Sequence, residues 1–277
     1  MANVGDTESG IRFTSDNENV ATVSADGTVT IKNAGTAKIT VSMDESQNFF
    51  AVSKEVTVTV APKEITVTPD NASKVYGESD KEFTYTPSGL VGEDTLSDIT
   101  LSRAEGDNVG TYEITAAQKK DANPNYSVKF NKGTFTINPK EITVTITPNG
   151  GTYEGNIISA AAVLNGLVGE DKPEIILTYA GKANDGTEVN GTKTPVLAGT
   201  YTVTASITDS NYNLKAEGTT AEFVVTKATP GLSVAAVSDK SYGEGAFKLG
   251  VSNKGDGLKS YVSSNEKVVT VDEKGTV

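Results

Sequence analysis

The residues that could carry chemistry in this chain are carboxylates clustered in short polar segments. Four such segments are GEDTLSD at 92–98, KKDANPN at 119–125, GEDKPE at 169–174 and DSNYN at 209–213. Paired carboxylates perform glycoside hydrolysis, and acidic loops bind calcium. However, the segments lack the D-x-D-x-D-G spacing of a calcium loop, and tight turns require the same residue types. We therefore interpret them as turns and predict no cofactor, with a calcium site as the weaker alternative.

Composition excludes several classes of function. The chain has no His and no Cys, so it cannot form a Ser-His-Asp or Cys-His centre or a zinc site of thiolates and imidazoles. We predict that it is not an enzyme. The formal net charge of −12 argues against nucleic acid as a partner, because nucleic acid is bound by basic patches. No apolar run approaches the ~18 residues that span a bilayer, so we expect no membrane insertion.

Internal repeats organise the chain. Three motifs occur twice, as KEITVT at 63–68 and 140–145, GLVGED at 89–94 and 166–171, and GTYEITA at 110–116 with GTYTVTA at 199–205. The first two pairs are 77 residues apart and the third is 89 apart, so the second repeat carries an insertion. The polar stretch at 181–194 is the best candidate for it. The pair Asn-Tyr also recurs, at 125–126 and 211–212.

Alternating patterns predict the fold class. Apolar and polar residues alternate in EITVTP, EFTYTP, TYEITA, YSVKF and TFTIN, as in strands with one buried face. Asn-Gly pairs at 149–150 and 190–191 and Asp-Gly pairs at 26–27 and 185–186 indicate turns. Tyr112 and Tyr201 follow Gly-Thr at strand starts, where a tyrosine corner and an ordinary buried tyrosine both fit. The pattern predicts an all-β chain of tandem immunoglobulin-like antiparallel β-sandwiches.

Prolines mark the predicted domain boundaries. Pro62, Pro139 and Pro230 stand between the last strand of one unit and the first of the next. Proline stops a strand ladder, and no flexible Gly/Ser spacer intervenes, so we expect an end-to-end rod. We predict two complete domains, 62–138 and 139–227. The flanking parts, 1–61 and 228–277, are predicted to be the C-terminal and N-terminal parts of split domains.

Two segments resemble known families. The stretch VATVSADGTVTIKNAGTAKITV at 20–41 resembles the bacterial immunoglobulin-like domain of group 2. Residues 74–137 resemble the MBG-type repeats of bacterial surface adhesins, through YGE, FTY, SGLVGED, GTYEITA, NY and GTFTI in that order. Residues 140–226 are similar but more divergent, with TYEGN at 152–156 in place of the YGE turn. The resemblance implies an extracellular place on a bacterial cell surface, within a longer exported protein.

The two ends of the chain carry versions of one motif. SDNENVATVSADGTV at 15–29 returns as SSNEKVVTVDEKGTV at 263–277, 248 residues later. Half a sandwich buries too little apolar surface to offset chain entropy and leaves strand edges unpaired. We therefore predict that the head of one molecule completes the tail of the next by strand addition. The predicted interface residues are Val20, Val23, Val29, Ile31, Ile39, Val41, Val56, Val58, Leu232, Val234, Phe247, Leu249, Val251, Val268, Val269, Val271 and Val277.

These observations predict a non-enzymatic structural protein whose partner is itself, in a head-to-tail fibre. They leave open which copy of the motif, 15–29 or 263–277, occupies the completed domain. One alternative is that the ends are arbitrary cuts through a longer repeat array, which leaves a monomeric rod. Another is an adhesin segment that binds a host glycan or mucin-type glycoprotein through an exposed loop. The predicted loop residues are Asn184, Asp185, Glu188 and Asn190.

Overall fold

The structure is a computed structural model that describes residues 10–154 and 159–277. Within these residues the regular structure is entirely β-strand, as predicted, and no helix is long and apolar enough to cross a membrane. The chain divides into two compact units, Met1–Lys140 with Ser210–Asn213 and Glu141–Asp209 with Leu214–Val277. Residues 1–9 of the predicted first part and the last two residues of the TYEGN segment lie outside the described residues.

Residues 10–60 contribute five strands. They are β1 (Ile11–Ser15), β2 (Ala21–Val23), β3 (Val29–Ile31), β4 (Gly35–Met43) and β5 (Val52–Val60). β1, β4 and β5 form an antiparallel sheet with β4 in the middle, and β2 and β3 form a hairpin. The predicted Asp-Gly turn joins this hairpin, where Gly27 has a φ of +84° that L side chains rarely adopt.

Residues 63–138 form a complete sandwich of two sheets. The strands are β6 (Lys63–Pro69), β7 (Ala72–Val75), β8 (Tyr85–Ser88), β9 (Ile99–Arg103), β10 (Gly110–Gln118), β11 (Tyr126–Phe130) and β12 (Gly133–Asn138). One sheet has the order β11-β6-β8 and the other the order β7-β12-β10-β9. The period-2 pattern places alternate apolar side chains between the sheets, so Val67, Ile114 and Phe135 are at most 1% exposed.

The second repeat has one strand more. Its strands are β13 (Lys140–Thr147), β14 (Gly151–Thr152), β15 (Ala161–Asn165), β16 (Ile175–Ala183), β17 (Glu188–Gly191), β18 (Gly199–Ile207), β19 (Tyr212–Leu214) and β20 (Thr220–Thr226). The main sheet has the order β14-β20-β18-β16-β17, and β13 pairs with β15. The edge strand β17 comes from the insertion at 181–194. The predicted Asn-Gly turn at 190–191 is instead the end of β17, because the hairpin turns at Asp185-Gly186.

Residues 228–277 contain little regular structure. Their strands are β21 (Ser233–Val234) and β22 (Val251–Ser252), which pair with each other. Phe247 and Val277 exchange two backbone hydrogen bonds of 3.0 and 2.8 Å. None of the hydrophobic side chains of this segment is buried. The predicted opening strands at 232–234 and 247–251 are therefore present only in part.

Among the strand pairs whose register is described, three differ from the predicted antiparallel pattern. β6–β11, β7–β12 and β14–β20 are parallel. β6 and β7 are two halves of one run of chain that passes from one sheet to the other, so each half pairs with a strand that comes much later. The alternation of the sequence sets the face on which a residue lies, but it does not set the direction of the neighbouring strand.

Both candidate tyrosine corners are present. The hydroxyl of Tyr112 donates to the carbonyl of Asn108 at 2.7 Å, and that of Tyr201 donates to the carbonyl of Leu197 at 2.9 Å. Each bond fastens the loop before a central strand to the strand itself. Burial raises the pKa of Tyr201, so this hydroxyl stays protonated as the donor. The two tyrosines are structural.

Candidate assembly surface

The two copies of the terminal motif form the same turns, although the first copy also forms the strands β2 and β3 and residues 263–277 form no strand. In each copy an Asn carbonyl accepts two consecutive amides, and a glycine amide closes the hairpin turn. The bonds of the first copy are Val20 N to Asn17 O (3.0 Å), Ala21 N to Asn17 O (3.1 Å) and Gly27 N to Ser24 O (2.9 Å). Those of the second are Val268 N to Asn265 O (3.0 Å), Val269 N to Asn265 O (3.1 Å) and Gly275 N to Asp272 O (3.0 Å).

The two copies differ in burial. Val20 is 5% exposed and Ala21 is 0% exposed, because they pack against Ala37 and Val60 of β4 and β5. The equivalent Val268 and Val269 are 79% and 42% exposed. In the described structure, the copy at 15–29 is therefore the one that is packed into a domain.

The opening strand of residues 228–277 is also uncovered. In the complete sandwich, Ile65 and Val67 of β6 are 4% and 0% exposed. Leu232 and Val234 form a similar alternating pair, ten and eight residues before the next Tyr-Gly-Glu motif rather than eleven and nine, and they are 63% and 57% exposed. They line a cavity of about 310 Å³ whose apolar lining also includes Pro230, Leu249, Leu258 and Tyr261, and whose polar lining includes Asn253 and Lys259.

A matching uncovered face lies on β5. Ile39 of GTAKI and Ile114 of GTYEI occupy equivalent positions. Val56 pairs with Ile39 and Gly133 pairs with Ile114, so Val56 occupies the place of Gly133. At Gly133 the strand β6 passes so close that an added Cβ would lie 2.7 Å from the carbonyl oxygen of Pro69. Val56 is 57% exposed, so within the described residues no strand takes that place over β5.

The other predicted interface residues fall into three groups. Ile39 is buried in the sheet of β1, β4 and β5, at 4% exposure. Val29 and Ile31 are exposed on the hairpin strand β3. The rest are half-buried, namely Val23, Val41, Val58, Phe247, Leu249, Val251, Val271 and Val277.

A set of hydrogen bonds around Asn125, called here an asparagine clasp, joins residues 10–60 to the complete sandwich within the first unit. These bonds were not predicted from the sequence. The side-chain carbonyl of Asn125 accepts from the amide of Ala34 at 2.8 Å, and its NH₂ donates to the Asn33 side chain at 2.8 Å. The backbone carbonyl of Asn125 accepts from Lys63 at 2.9 Å. One residue thus holds the loop before β4 and the start of β6.

A second clasp of the same form lies in the first unit, which includes Ser210–Asn213. The Asn211 side chain accepts from the amide of Val109 at 2.8 Å and donates to Asn108 at 3.0 Å. Its backbone carbonyl accepts from Lys140 at 2.9 Å. The recurrence of Asn-Tyr and of N-x-G-T, at 33–36 and 108–111, is the sequence signal that could have revealed these clasps.

The tyrosine that follows each clasp asparagine is buried. Tyr212 is 3% exposed and packs edge-to-face on Tyr76 of the Tyr-Gly-Glu turn, with ring centroids 5.3 Å apart and planes at 82°. Tyr126 is 9% exposed; its hydroxyl donates to Asp94 and accepts from the amide of Val91 at 3.0 Å. The bond to Asp94 raises the pKa of Tyr126.

A charged cluster follows the same turn in the complete sandwich. The Asp80 carboxylate bonds to Arg103 Nε at 2.5 Å and to Lys74 Nζ at 2.7 Å. Hydrogen bonds from Arg103 and then Lys74 hold the pKa of Asp80 below its ordinary value. Both cations lie over the Phe135 ring, at 4.9 and 5.9 Å from its centroid. A second carboxylate, Asp107, lies 3.3 Å from Arg103 and 3.7 Å from Lys74, so the two cations of the cluster face two carboxylates.

The acidic segments form turns. The amides of Asp94 and Asp171 donate to the carbonyls three residues earlier, at 3.0 and 3.1 Å. Asn123 lies inside its turn and bonds to both backbone groups of Ser97 at 3.0 Å. Among the described residues, no group of three or more Asp, Glu, His or Cys is arranged to hold a metal ion.

The candidate ligand loop is a projecting hairpin. Asn184, Asp185, Glu188 and Asn190 are all exposed on it. The carboxylate of Asp185 accepts from the Thr187 amide at 2.9 Å, and this bond lowers the pKa of Asp185. That carboxylate serves its own turn, and binding of a glycan by this loop stays a prediction.

Comparison with known proteins gives two family matches. Residues 65–136 match the MBG domain (YGX type), and residues 1–56 match the bacterial Ig-like domain (group 2). No curated protein matches the chain.

Solved structures resemble the chain only distantly. Domains 4–9 of surface layer protein SbsC share 18% identity over 84% of this chain, with a TM-score of 0.23. Drosophila N-cadherin EC1-3 shares 11% over 81% of this chain and 92% of its own length, with a TM-score of 0.28. The Escherichia coli adhesin FdeC shares 16% over 80% of this chain and 85% of its own, with a TM-score of 0.24.

The match to SbsC covers only 41% of that structure's length.

The two family matches confirm both resemblances that the motifs indicated. The chain thus contains a segment that matches the bacterial Ig-like domain of group 2, followed by a segment that matches the MBG domain of the YGX type.

Proposed function

We propose that the chain is a non-enzymatic structural segment of a bacterial cell-surface protein and that its copies join head to tail. Residues 230–252 of one copy add to residues 10–60 of the next copy and complete a sandwich. The family matches support a structural role outside the cell. The partner is therefore a second copy of the chain.

The observation that carries this proposal is the exposure of Leu232 and Val234. Ile65 and Val67, the apolar pair of the opening strand β6 in the complete sandwich, are 4% and 0% exposed because they face the sheet of β12. The counterpart of β12 is β5, whose Val56 is 57% exposed. A strand bearing Leu232 and Val234 would cover β5 as β6 covers β12. Burial of such side chains stabilises an interface by about 1.5–3 kcal/mol each.

The edge position of β5 supports the same arrangement. β5 is the outer strand of its sheet, whereas β12 is flanked by the parallel strand β7. An unpaired edge is a template for strand addition. The residues after Val234 would take the place of β7 and supply the missing backbone hydrogen bonds.

The second copy of the terminal motif, residues 263–277, is expected to take no part in the head-to-tail interface. Residues 15–29 already pack against β4 and β5, and an exchange for 263–277 would bury no new apolar surface. Addition of 230–252 buries surface that is exposed in each separate chain. Residues 263–277 therefore stay at the periphery of the completed sandwich.

The test is the mass of the particle as a function of concentration, by sedimentation and light scattering. We expect the mass to rise from 28.8 kDa through multiples of that value. Leu232→Asp places a charge on the strand that is added, and Val56→Asp places one on β5, which receives that strand. Either variant alone should therefore stay monomeric. An equimolar mixture of the two should stop at the dimer, because one intact joint remains between unlike chains.

The matched control is Val163→Asp on β15, where the side chain is 60% exposed. It adds the same charge at a similar exposure and should assemble like the wild type. A wild-type chain that stays at 28.8 kDa at every concentration would refute the proposal. So would assembly of Leu232→Asp and Val56→Asp to the same extent as the control.

A further inference from the structure

The set of contacts around Asn211 involves three parts of the chain. They are the N-x-G-T loop with Asn108, the Asn-Tyr pair with Asn211 and Tyr212, and the Tyr-Gly-Glu turn with Tyr76. Asn211 clasps the loop, and Tyr212 packs edge-to-face on Tyr76 at 5.3 Å. An edge-to-face pair of rings adds stability beyond that of its buried area. The two contacts together fix the loop and the turn against one asparagine-tyrosine pair.

The set of contacts around Asn125 involves only two of these three parts. Asn125 clasps Asn33 and Ala34 with nearly the same distances, and Tyr126 follows it. The described residues 10–60 contain no tyrosine. Within the described structure, no aromatic ring packs on Tyr126 as Tyr76 packs on Tyr212.

The missing part is present in residues 228–277. KSYGE at 240–244 repeats KVYGE at 74–78, and both form the same turn. The amide of Ser241 donates to the Glu244 carboxylate at 3.2 Å, as that of Val75 donates to Glu78 at 3.1 Å. The ring of Tyr242, however, is fully exposed, at 108%.

We infer that Tyr242 of one copy packs edge-to-face on Tyr126 of the next copy and completes the set of contacts around Asn125. This inference rests on the proposed head-to-tail function. In the completed sandwich, residues 230–252 take the place that 64–86 take in the complete one, so Tyr242 stands where Tyr76 stands. Asn33 and Asn125 of the receiving copy are already clasped, and they present Tyr126 beside that place.

Oxidative cross-linking of tyrosines tests the contact directly. A ruthenium photosensitiser with persulfate as the oxidant couples tyrosine rings that touch. An equimolar mixture of unlabelled and ¹⁵N-labelled chains then distinguishes links between chains from links within one. The pair Tyr76–Tyr212 is an internal positive control, and its linked peptides should carry unmixed labels. We expect a Tyr126–Tyr242 link with mixed labels, which grows with the assembled fraction.

A variant provides the second measurement. Tyr242→Ala should weaken the association by about tenfold, from the lost ring contact and its buried area. Val262→Ala, at another side chain that is 87% exposed, should leave the association constant within about twofold.

The outcomes separate this inference from the proposed function. Assembly with a Tyr76–Tyr212 link but without a Tyr126–Tyr242 link would overturn the tyrosine contact and leave the head-to-tail joint standing. Equal association of Tyr242→Ala and the wild type would do the same. A chain that stays monomeric would overturn both.

Discussion

The duplicated motif allows one substitution to be made twice in the same chain. We predict that Val20→Ala destabilises residues 10–60 by about 2 kcal/mol, because two methyl groups leave a side chain that is 5% exposed and a small cavity remains. Val268→Ala, in the same turn but at 79% exposure, should change stability by less than about 0.5 kcal/mol.

Hydrogen exchange read by mass spectrometry is the appropriate assay, because it reports on each segment separately. Peptides from 10–60 should exchange roughly thirtyfold faster in Val20→Ala than in the wild type, since each 1.4 kcal/mol is about a factor of ten. Peptides from 62–138 serve as the reference within the same sample. In Val268→Ala, all of these peptides should exchange at the wild-type rate.

Two results would refute this reasoning. Equal effects of the two substitutions would show that the burial of Val20 against Ala37 and Val60 does not stabilise residues 10–60. A Val268→Ala chain with impaired assembly would show that residues 263–277 displace 15–29 in the joint, contrary to the arrangement proposed above.

Three further predictions concern the domains themselves. Asp80 has a depressed pKa in the fold, so its contribution to the free energy of unfolding is present above about pH 4 and is lost as pH falls through the folded value. In urea titrations at several pH values, Asp80→Asn should lose less stability on acidification than the wild type, and it should cost about 1 kcal/mol at pH 7. Tyr112→Phe loses the 2.7 Å bond to Asn108 and should lower the free energy of unfolding by about 1 kcal/mol, with unchanged strand content by circular dichroism. Gly181→Ala would place its Cβ 2.3 Å from a backbone oxygen and should lower the thermal midpoint by several degrees, about 1–3 kcal/mol; an unchanged midpoint would contradict the described path of β16.

Much of the candidate surface could be predicted from residue patterns. Leu232, Val234 and Val56 were predicted as interface residues; all three are exposed, and their part in an interface stays a prediction. The clasp residues Asn125 and Asn211 were not predicted, although their recurrence before tyrosine was visible. An asparagine in a polar segment matches many turns, and its partner 91 or 102 residues away leaves no local trace.

The sequence by itself determined most of the strands and turns, the repeats and the two family resemblances. Alternation, turn dipeptides and motif spacing are local properties, and the side-chain period of a strand needs no tertiary information. Only the tertiary structure decided the parallel pairs, the pairing of Asn33 with Asn125 and the burial of one motif copy but not the other. Residues 15–29 and 263–277 share nine of fifteen residues and form the same turn hydrogen bonds. Val20 is buried and Val268 is exposed because burial is set by the strands that pack on a segment, not by the segment itself.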